Sequence, residues 1–375
     1  MPDDKPTSRR DFLRGRSVGR ALLAAANELA DRAEGALGVA PPSGPTLPKS
    51  PTSSAAAAKL QVTRRAMACE FVIEHHAADG SLAADAALEA LDLIERIEDQ
   101  LSIYRDHTEV ANLNRHAAED GVEVEPGLFS LIQQCRRLHE QTGGAFDFTS
   151  GPLSRAWGFF QRAGRVPGAD ELAAARELVG AQFVELNDSR FSVRFLKPGV
   201  EINFNSIGKG YALDRAAAHL ESMGLADFLC HGGRSSVLAR GRDRSGRYNG
   251  WGVAVPHPLK PEGQVGEIQL VDNALGTSGS GTQFFEHEGR RFGHLIDPRT
   301  GQPTEGVYTA SAVASTAAEA DALATAFYIM GPGGASEYCA AHDDVGAVLV
   351  CRGEGASGID VHAFNMEGRW IAERL

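Results

Sequence analysis

Apolar residues recur along this chain with two different periods, and the switches between them predict its elements. Residues 60–75 read as a strand. Over about 81–101, Leu91, Ile94, Ile97 and Leu101 return at helical spacing. A second helix is predicted over about 126–142, stopped by Gly143 and Gly144. From about 168 the pattern gives a helix, then short strands near 182–187, 191–195 and 200–204. A helix over 208–223 stops at Gly224, and strands follow near 226–240 and 250–256. The last third predicts strands near 267–271 and 308–315, a helix over 317–330, and strands near 344–351 and 359–363. Strands that come in adjacent runs between helices predict an α+β fold rather than a doubly wound parallel sheet. No internal repeat interrupts this order.

The pattern is missing from residues 1–58. Ser8-Arg9-Arg10-Asp11-Phe12-Leu13-Arg14 fits the twin-arginine export pattern, whose carriers cross the membrane already folded. The apolar run from Ala21 to Ala30 is preceded by Arg16 and Arg20 and broken near its end by Glu28 and Asp31, so a solvated basic arm is the competing reading. The stretch from Pro41 to Ala58, rich in Pro, Ser and Ala, reads as a linker. The expected organisation is therefore a signal or arm with linker over 1–58 and one folded domain over 59–375. An exported, periplasmic or membrane-associated location follows from the signal reading, and a cytoplasmic one from the arm.

Composition narrows the function classes. Hydrophobic residues at 43% and charged residues at 23% suit a globular domain with a sizeable core. A net charge of -12 argues against general nucleic-acid binding, which needs a basic surface to neutralise phosphates. The five cysteines (Cys69, Cys135, Cys230, Cys339 and Cys351) have no paired or zinc-like spacing and read mostly as small buried apolar groups. No apolar run reaches the roughly 18 residues of a membrane helix.

Four segments carry polar groups where a plain core would not. Thr142 to Thr149, with Gly151-Pro152-Leu153 and Trp157-Gly158-Phe159 after it, places two glycines behind a helix. That is either a helix stop or a close backbone approach to a ligand. Ile202 to Asp214 runs from a strand through Gly208-Lys209-Gly210 into a helix, a junction whose free N–H groups suit phosphate oxygens, although a surface lysine after a turn is the commoner case. It has neither P-loop nor dinucleotide-fold spacing. His294 opens His294-Leu295-Ile296-Asp297-Pro298-Arg299-Thr300-Gly301 and could serve as a base near neutral pH. Asp321 and Thr325, four apart on an otherwise apolar helix, offer oxygens on one face to a hard cation such as magnesium; alternatively Asp321 caps the helix start.

In this order the segments resemble the FAD:protein FMN transferase family, also called the ApbE family. The family's pieces stand here as Met67-Ala68-Cys69, Ser102-Ile103-Tyr104 with Leu113-Asn114, Gly144 to Thr149, Asn203 to Gly210, Gly232-Gly233, His294 to Gly301, and Asp321 to Thr325. The resemblance spans about 62–331 and implies two packed α+β lobes with mixed or antiparallel sheets and the nucleotide in the cleft between them. It implies that Met67, Tyr104, Ala145, Phe146, Asp147, Asn203, Lys209 and Leu295 line FAD. By the same resemblance Asp321, Thr325 and the Ser206 carbonyl hold Mg2+, and His294 takes the proton of an acceptor hydroxyl. The implied partner is a flavoprotein with a Ser/Thr flavinylation motif, typically a membrane electron-transfer subunit. This sequence departs from the family at Ala68 and Cys69 (Gly and Thr in the pattern), at Asn203 (Asp) and at Arg234 (acidic or Asn). Two further readings share these residues: a magnesium-dependent FAD pyrophosphatase releasing FMN and AMP, and a non-catalytic FAD-binding protein.

Overall fold

In a computed structural model, the chain is described over residues 58–373 apart from 162, 247, 248, 280, 282 and 356. The signal, arm and linker readings of residues 1–57 lie outside these. In chain order the elements begin with β1 (Lys59–Ala66), β2 (Cys69–His76), α1 (Gly80–Leu101), α2 (Glu109–His116), β3 (Val122–Glu123) and α3 (Pro126–Gln141). Then come α4 (Gly151–Ala156), α5 (Ala169–Arg176), β4 (Val184–Asn187), β5 (Ser192–Phe195) and α6 (Gly208–Ser222). The remainder is β6 (Phe228–Gly232), β7 (Ser236–Arg240), β8 (Trp251–Pro256), β9 (Gln264–Leu270), β10 (Ala274–Gly279), β11 (Phe284–His287), β12 (Arg290–Gly293), β13 (Val307–Ala314), α7 (Ala317–Ala341), β14 (Gly346–Arg352), β15 (Ile359–Phe364) and β16 (Trp370–Ala372).

The α+β expectation holds. The centre is an eight-stranded sheet in the order β1-β2-β6-β7-β10-β13-β14-β15. Every ladder among the described residues is antiparallel, so "mixed" gives way to antiparallel. Period-two alternation sorts its side chains onto two faces. Leu238, Ala274, Ala310, Ala312, Ala314 and Leu349 face α1, α6 and α7 in the main core. Val237, Leu275, Val313, Val348 and Val350 face a three-stranded sheet, β16-β9-β8, in a second core with Trp251 and Ile268. The other lobe is built from α2, α3 and the small sheet β3-β5-β4, and its Leu128, Phe129, Phe146 and Phe195 belong to the same main core. The two lobes are thus joined by continuous apolar packing.

Several boundaries differ from the pattern, each for a local reason. The single strand expected at 60–75 is a hairpin, because Met67 and Ala68 both take positive φ (49° and 60°) and reverse the chain. The run at 226–240 is likewise turned at Gly233 and Arg234 (φ 58° and 61°). Residues 200–204 form no strand; the segment is held instead by side chains and by the Asn203 N–H donating to the Phe148 carbonyl at 2.7 Å. The last helix continues past 330 to Ala341, through a non-helical Gly331 (φ 69°) followed by Pro332. Proline has no N–H to lose at the first position of a new helical turn, so the second segment starts there. Among the described residues no helix is long and apolar enough to cross a membrane. All five cysteines are free, four of them buried and Cys69 half-buried.

Candidate active site

Two of the polar segments, Ile202–Asp214 and Asp321–Thr325, meet at the N-terminal end of α7. Thr316 caps that helix, its hydroxyl accepting from the Glu319 N–H at 3.3 Å. Asp321 is therefore not the cap. Its carboxylate, 6% exposed, points back across the helix start. Oδ2 accepts from the Gly210 N–H at 2.8 Å and from the Ser236 hydroxyl at 2.8 Å. One bond comes from the first turn of α6 and the other from β7, so three elements meet on one oxygen.

That meeting depends on small residues. A Cβ on Gly210 would overlap the Ala317 carbonyl, and one on Gly276 of β10 would overlap the Ala320 carbonyl. Glycine at both positions lets α6 and β10 press directly against the α7 backbone. Asp214, one turn into α6, accepts from the Ala317 and Ala318 N–H groups at 2.7 and 2.9 Å, satisfying two of the free donors at the start of α7. Burial, with a smaller push from Asp321, carries the Asp214 carboxyl up to about 6 against the pull of those two donors.

Asp321 is a buried carboxylate with no ion pair within 4.0 Å among the described residues. Burial raises its pKa, while the Lys209 charge, the Ser236 hydroxyl and the Gly210 N–H draw it down. One turn on, the Thr325 hydroxyl lies 3.0 Å from the Ser278 hydroxyl of β10 and 3.3 Å from the Asp321 carbonyl. Carboxylate and hydroxyl oxygens on one face are hard donors, the kind that suits Mg2+ better than zinc or copper. A buried, incompletely compensated carboxylate also gains from a neighbouring cation, so the residues present fit a magnesium ion. Among the described residues no three His, Cys, Asp or Glu side chains cluster as a metal cage. Substrate phosphates would have to complete the ligand set.

His294 follows β12 directly and is half-buried. Its Nδ1 is 3.1 Å from the Gln283 carbonyl oxygen. A carbonyl only accepts, so Nδ1 carries the proton and the neutral ring's lone pair is on Nε2. Burial, with a smaller push from the Lys209 charge, holds the His294 pKa below its ordinary value against the pull of the Gln283 hydrogen bond, which keeps the ring neutral and able to accept a proton. Lys209 thus acts electrostatically on both His294 and Asp321, and lesser effects reach Cys69 from both Lys209 and Asp321. The Met67–Cys69 turn packs beside the other turn, where the Gly233 N–H donates to the Glu70 carbonyl at 2.8 Å and a Cβ on Gly233 would touch Cys69.

The 142–149 segment is placed by its own side chains. Gly143 and Gly144 take φ of 58° and 78°, serving as helix stop and tight turn together. The buried Asp147 carboxylate accepts from the Thr149 N–H and hydroxyl at 2.7 and 2.6 Å and lies 3.2 Å from His139 Nδ1. The Asp147 side chain is thereby consumed in shaping the turn, and Ala145 and Phe146 are fully buried. Leu295 is half-buried against the main core, and Ser206, also half-buried, lies in the turn before α6. The Asn203 side chain accepts from the Asn205 N–H at 2.9 Å, and the Asn205 amide donates to the Tyr104 hydroxyl at 3.3 Å. The Trp157 indole donates to the Gly301 carbonyl at 2.8 Å, tying the Trp157-Gly158-Phe159 segment to the turn after His294. Ser236, Ser278 and Asp214 are the site residues that pattern reading missed; of these only Asp214 had a signal, standing four residues after Gly210.

A buried carboxylate with hydroxyls, a lysine charge and a neutral histidine are the polar groups this region offers a ligand. A model of the ApbE family matches residues 65–349, and the chain belongs to that family. The FAD:protein FMN transferase of Vibrio cholerae serotype O1 is 31% identical to it over 243 residues, covering 64% of this chain and 71% of that protein. The FAD:protein FMN transferase of Klebsiella pneumoniae (strain 342) is 30% identical over 263 residues, covering 68% and 74%. Among solved structures, an ApbE protein from Thermotoga maritima superposes with a TM-score of 0.71 at 28% identity, over 81% of this chain and 96% of that one. The apo flavinyl transferase ApbE of Pseudomonas stutzeri gives 0.71 at 26% identity, over 82% and 94%.

Proposed function

We propose that this chain transfers FMN from FAD to a Ser or Thr hydroxyl of an acceptor flavoprotein, with Mg2+ at Asp321, and releases AMP. The observation that carries the reading is the buried Asp321 carboxylate, fixed by Gly210 and Ser236, with the Lys209 charge acting both on it and on the neutral His294. The acceptor oxygen forms a bond to the FMN-side phosphorus as the bridging P–O bond breaks and the electron pair leaves with AMP. The hydroxyl proton goes to His294 Nε2. Lys209 binds and orients phosphate oxygens. Asp321, Thr325 and the Ser206 carbonyl would hold the ion, with Met67, Tyr104, Asn203, Leu295 and the 145–147 backbone around the nucleotide. When bound, Mg2+ supplies neutralisation of charge growing on the pyrophosphate oxygens.

The twin-arginine pattern at Ser8–Arg14 supports an acceptor outside the cytoplasm, in keeping with a membrane electron-transfer subunit. Incubating the chain with FAD, Mg2+ and a candidate acceptor tests the reading by mass spectrometry. The expected products are an acceptor heavier by one FMN and an equal amount of AMP, both lost with His294→Ala or on chelation. AMP and free FMN with an unlabelled acceptor would establish the pyrophosphatase instead. FAD bound but intact would establish a binding protein.

A further inference from the structure

Tyr104 lies in the loop after α1 and is 60% exposed, yet its ring is held on one face and at its tip. The Phe160 ring stacks on it, with centroids 5.0 Å apart and planes 24° from parallel. The other face of Phe160 carries the Arg155 guanidinium, 3.7 Å from the ring centroid. Arg155 is in turn locked by Glu201, Nε donating at 2.7 Å and Nη2 to the second carboxylate oxygen. Glu201 fits there because Gly151 has no side chain, a Cβ at that position lying only 3.1–3.2 Å from the carboxylate group. At the tip, the Tyr104 hydroxyl accepts from the Asn205 amide.

An exposed loop tyrosine ordinarily keeps its rotamer freedom, and ordering it costs entropy. Here a four-layer column of Glu201, Arg155, Phe160 and Tyr104 removes that freedom before any ligand arrives. One ring face is covered by Phe160, and the high exposure leaves the opposite face to solvent. We infer that Phe160, backed by the Arg155–Glu201 pair, is a positioning residue that presets the plane of Tyr104 as a platform for a flat, electron-poor aromatic ring, the isoalloxazine half of the nucleotide. The Arg155 guanidinium fixes one face of Phe160, and the electron-rich phenol of Tyr104 is left to meet the incoming ring. This rests on the proposed FAD reading and adds a residue, Phe160, that would touch no ligand atom itself.

Flavin fluorescence gives the test, because a tyrosine stacked on isoalloxazine quenches its emission. FMN and ADP serve as half-ligands beside FAD. With Phe160→Leu, affinity for FAD and FMN is expected to fall about three- to tenfold, the range of a lost aromatic pair. Quenching should weaken, ADP affinity should stay within about twofold of the unaltered chain, and the change in transfer should lie in KM for FAD rather than in kcat. Phe160→Trp should restore quenching. Unchanged FMN affinity and quenching in Phe160→Leu would overturn the inference, and so would equal losses for FMN and ADP, which would make Phe160 a general support of the fold. An unaltered chain that binds no FAD would overturn the functional reading and this one together. Normal FAD binding that ignores residue 160 would overturn this one alone.

Discussion

The two faces of the eight-stranded sheet are packed by opposite means. Toward the three-stranded sheet the contacts are large and aliphatic: Leu275, Val313, Val348 and Val350 against Trp251 and Ile268. Toward the start of α7 they are small. Ala310, Ala312 and Ala314 face a helix start made of Ala317, Ala318, Ala320, Ala322 and Ala324, and Gly276 touches its backbone. Large side chains hold sheets about 10 Å apart and maximise buried area. Small ones give up area and bring backbones together, which is what allows Gly210, Ser236 and Ser278 to reach Asp321 and Thr325. One face is organised for stability and the other for placing polar atoms.

Substitutions at this divide test it. Asp321→Asn should cut transfer by about a thousandfold, several kcal/mol of lost charge stabilisation. Because that carboxylate is buried and its pKa raised, the same change should also raise Tm, a paired outcome that a purely structural Asp321 would reverse. Leu275→Ala, on the far face, should cost about 2–5 kcal/mol in urea titration while the folded protein keeps its kcat/KM. Its neighbour on the other face behaves differently. Gly276→Ala should cost only about 1–3 kcal/mol but push α7 outward and weaken Mg2+ affinity measured by calorimetry. Loss of activity with Leu275→Ala, or full activity with Gly276→Ala, would break the comparison. The smallest effect concerns pH. With its pKa held below the ordinary 6.5 by burial and Lys209, His294 gains its free lone pair as pH rises through that lowered value, so activity climbs there and is full at neutrality. Lys209→Gln should move this acid limb to higher pH, read from kcat/KM against pH.

Legibility in the sequence followed the range of the forces involved. Leu91, Ile94, Ile97 and Leu101 announced α1 because burial of one helix face is a local, periodic demand, and all four are buried. The hairpin β11–β12 was invisible. Its strands are four residues each and its sequence, Glu286-His287-Glu288-Gly289-Arg290-Arg291, is charged rather than alternating. The reversal at Met67 and Ala68 also lacked a signal, since neither residue type favours positive φ and the β1–β2 ladder imposes it. At the site, His294, Lys209, Asp321 and Thr325 stood out as polar groups in apolar or glycine-rich company. Ser236 and Ser278 did not, because a serine in a strand is ordinary until a helix from far along the chain arrives with a carboxylate or hydroxyl to meet it. Asp147 was legible as part of a motif, but its side chain is spent on Thr149 and His139.

The bond from His294 to Gln283 has a consequence for how this protein tolerates change. The tautomer of the ring is dictated by a main-chain oxygen, so the side chain at position 283 can vary freely without moving the proton from one nitrogen to the other. What cannot vary is the register of the β11–β12 ladder, which runs from Phe284 opposite Gly293 and so sets residue 283 beside residue 294. Point mutation is nearly blind to such an arrangement. Deleting or inserting a single residue in that hairpin would rewrite it, so the hairpin's length, more than its composition, is what heredity has to preserve.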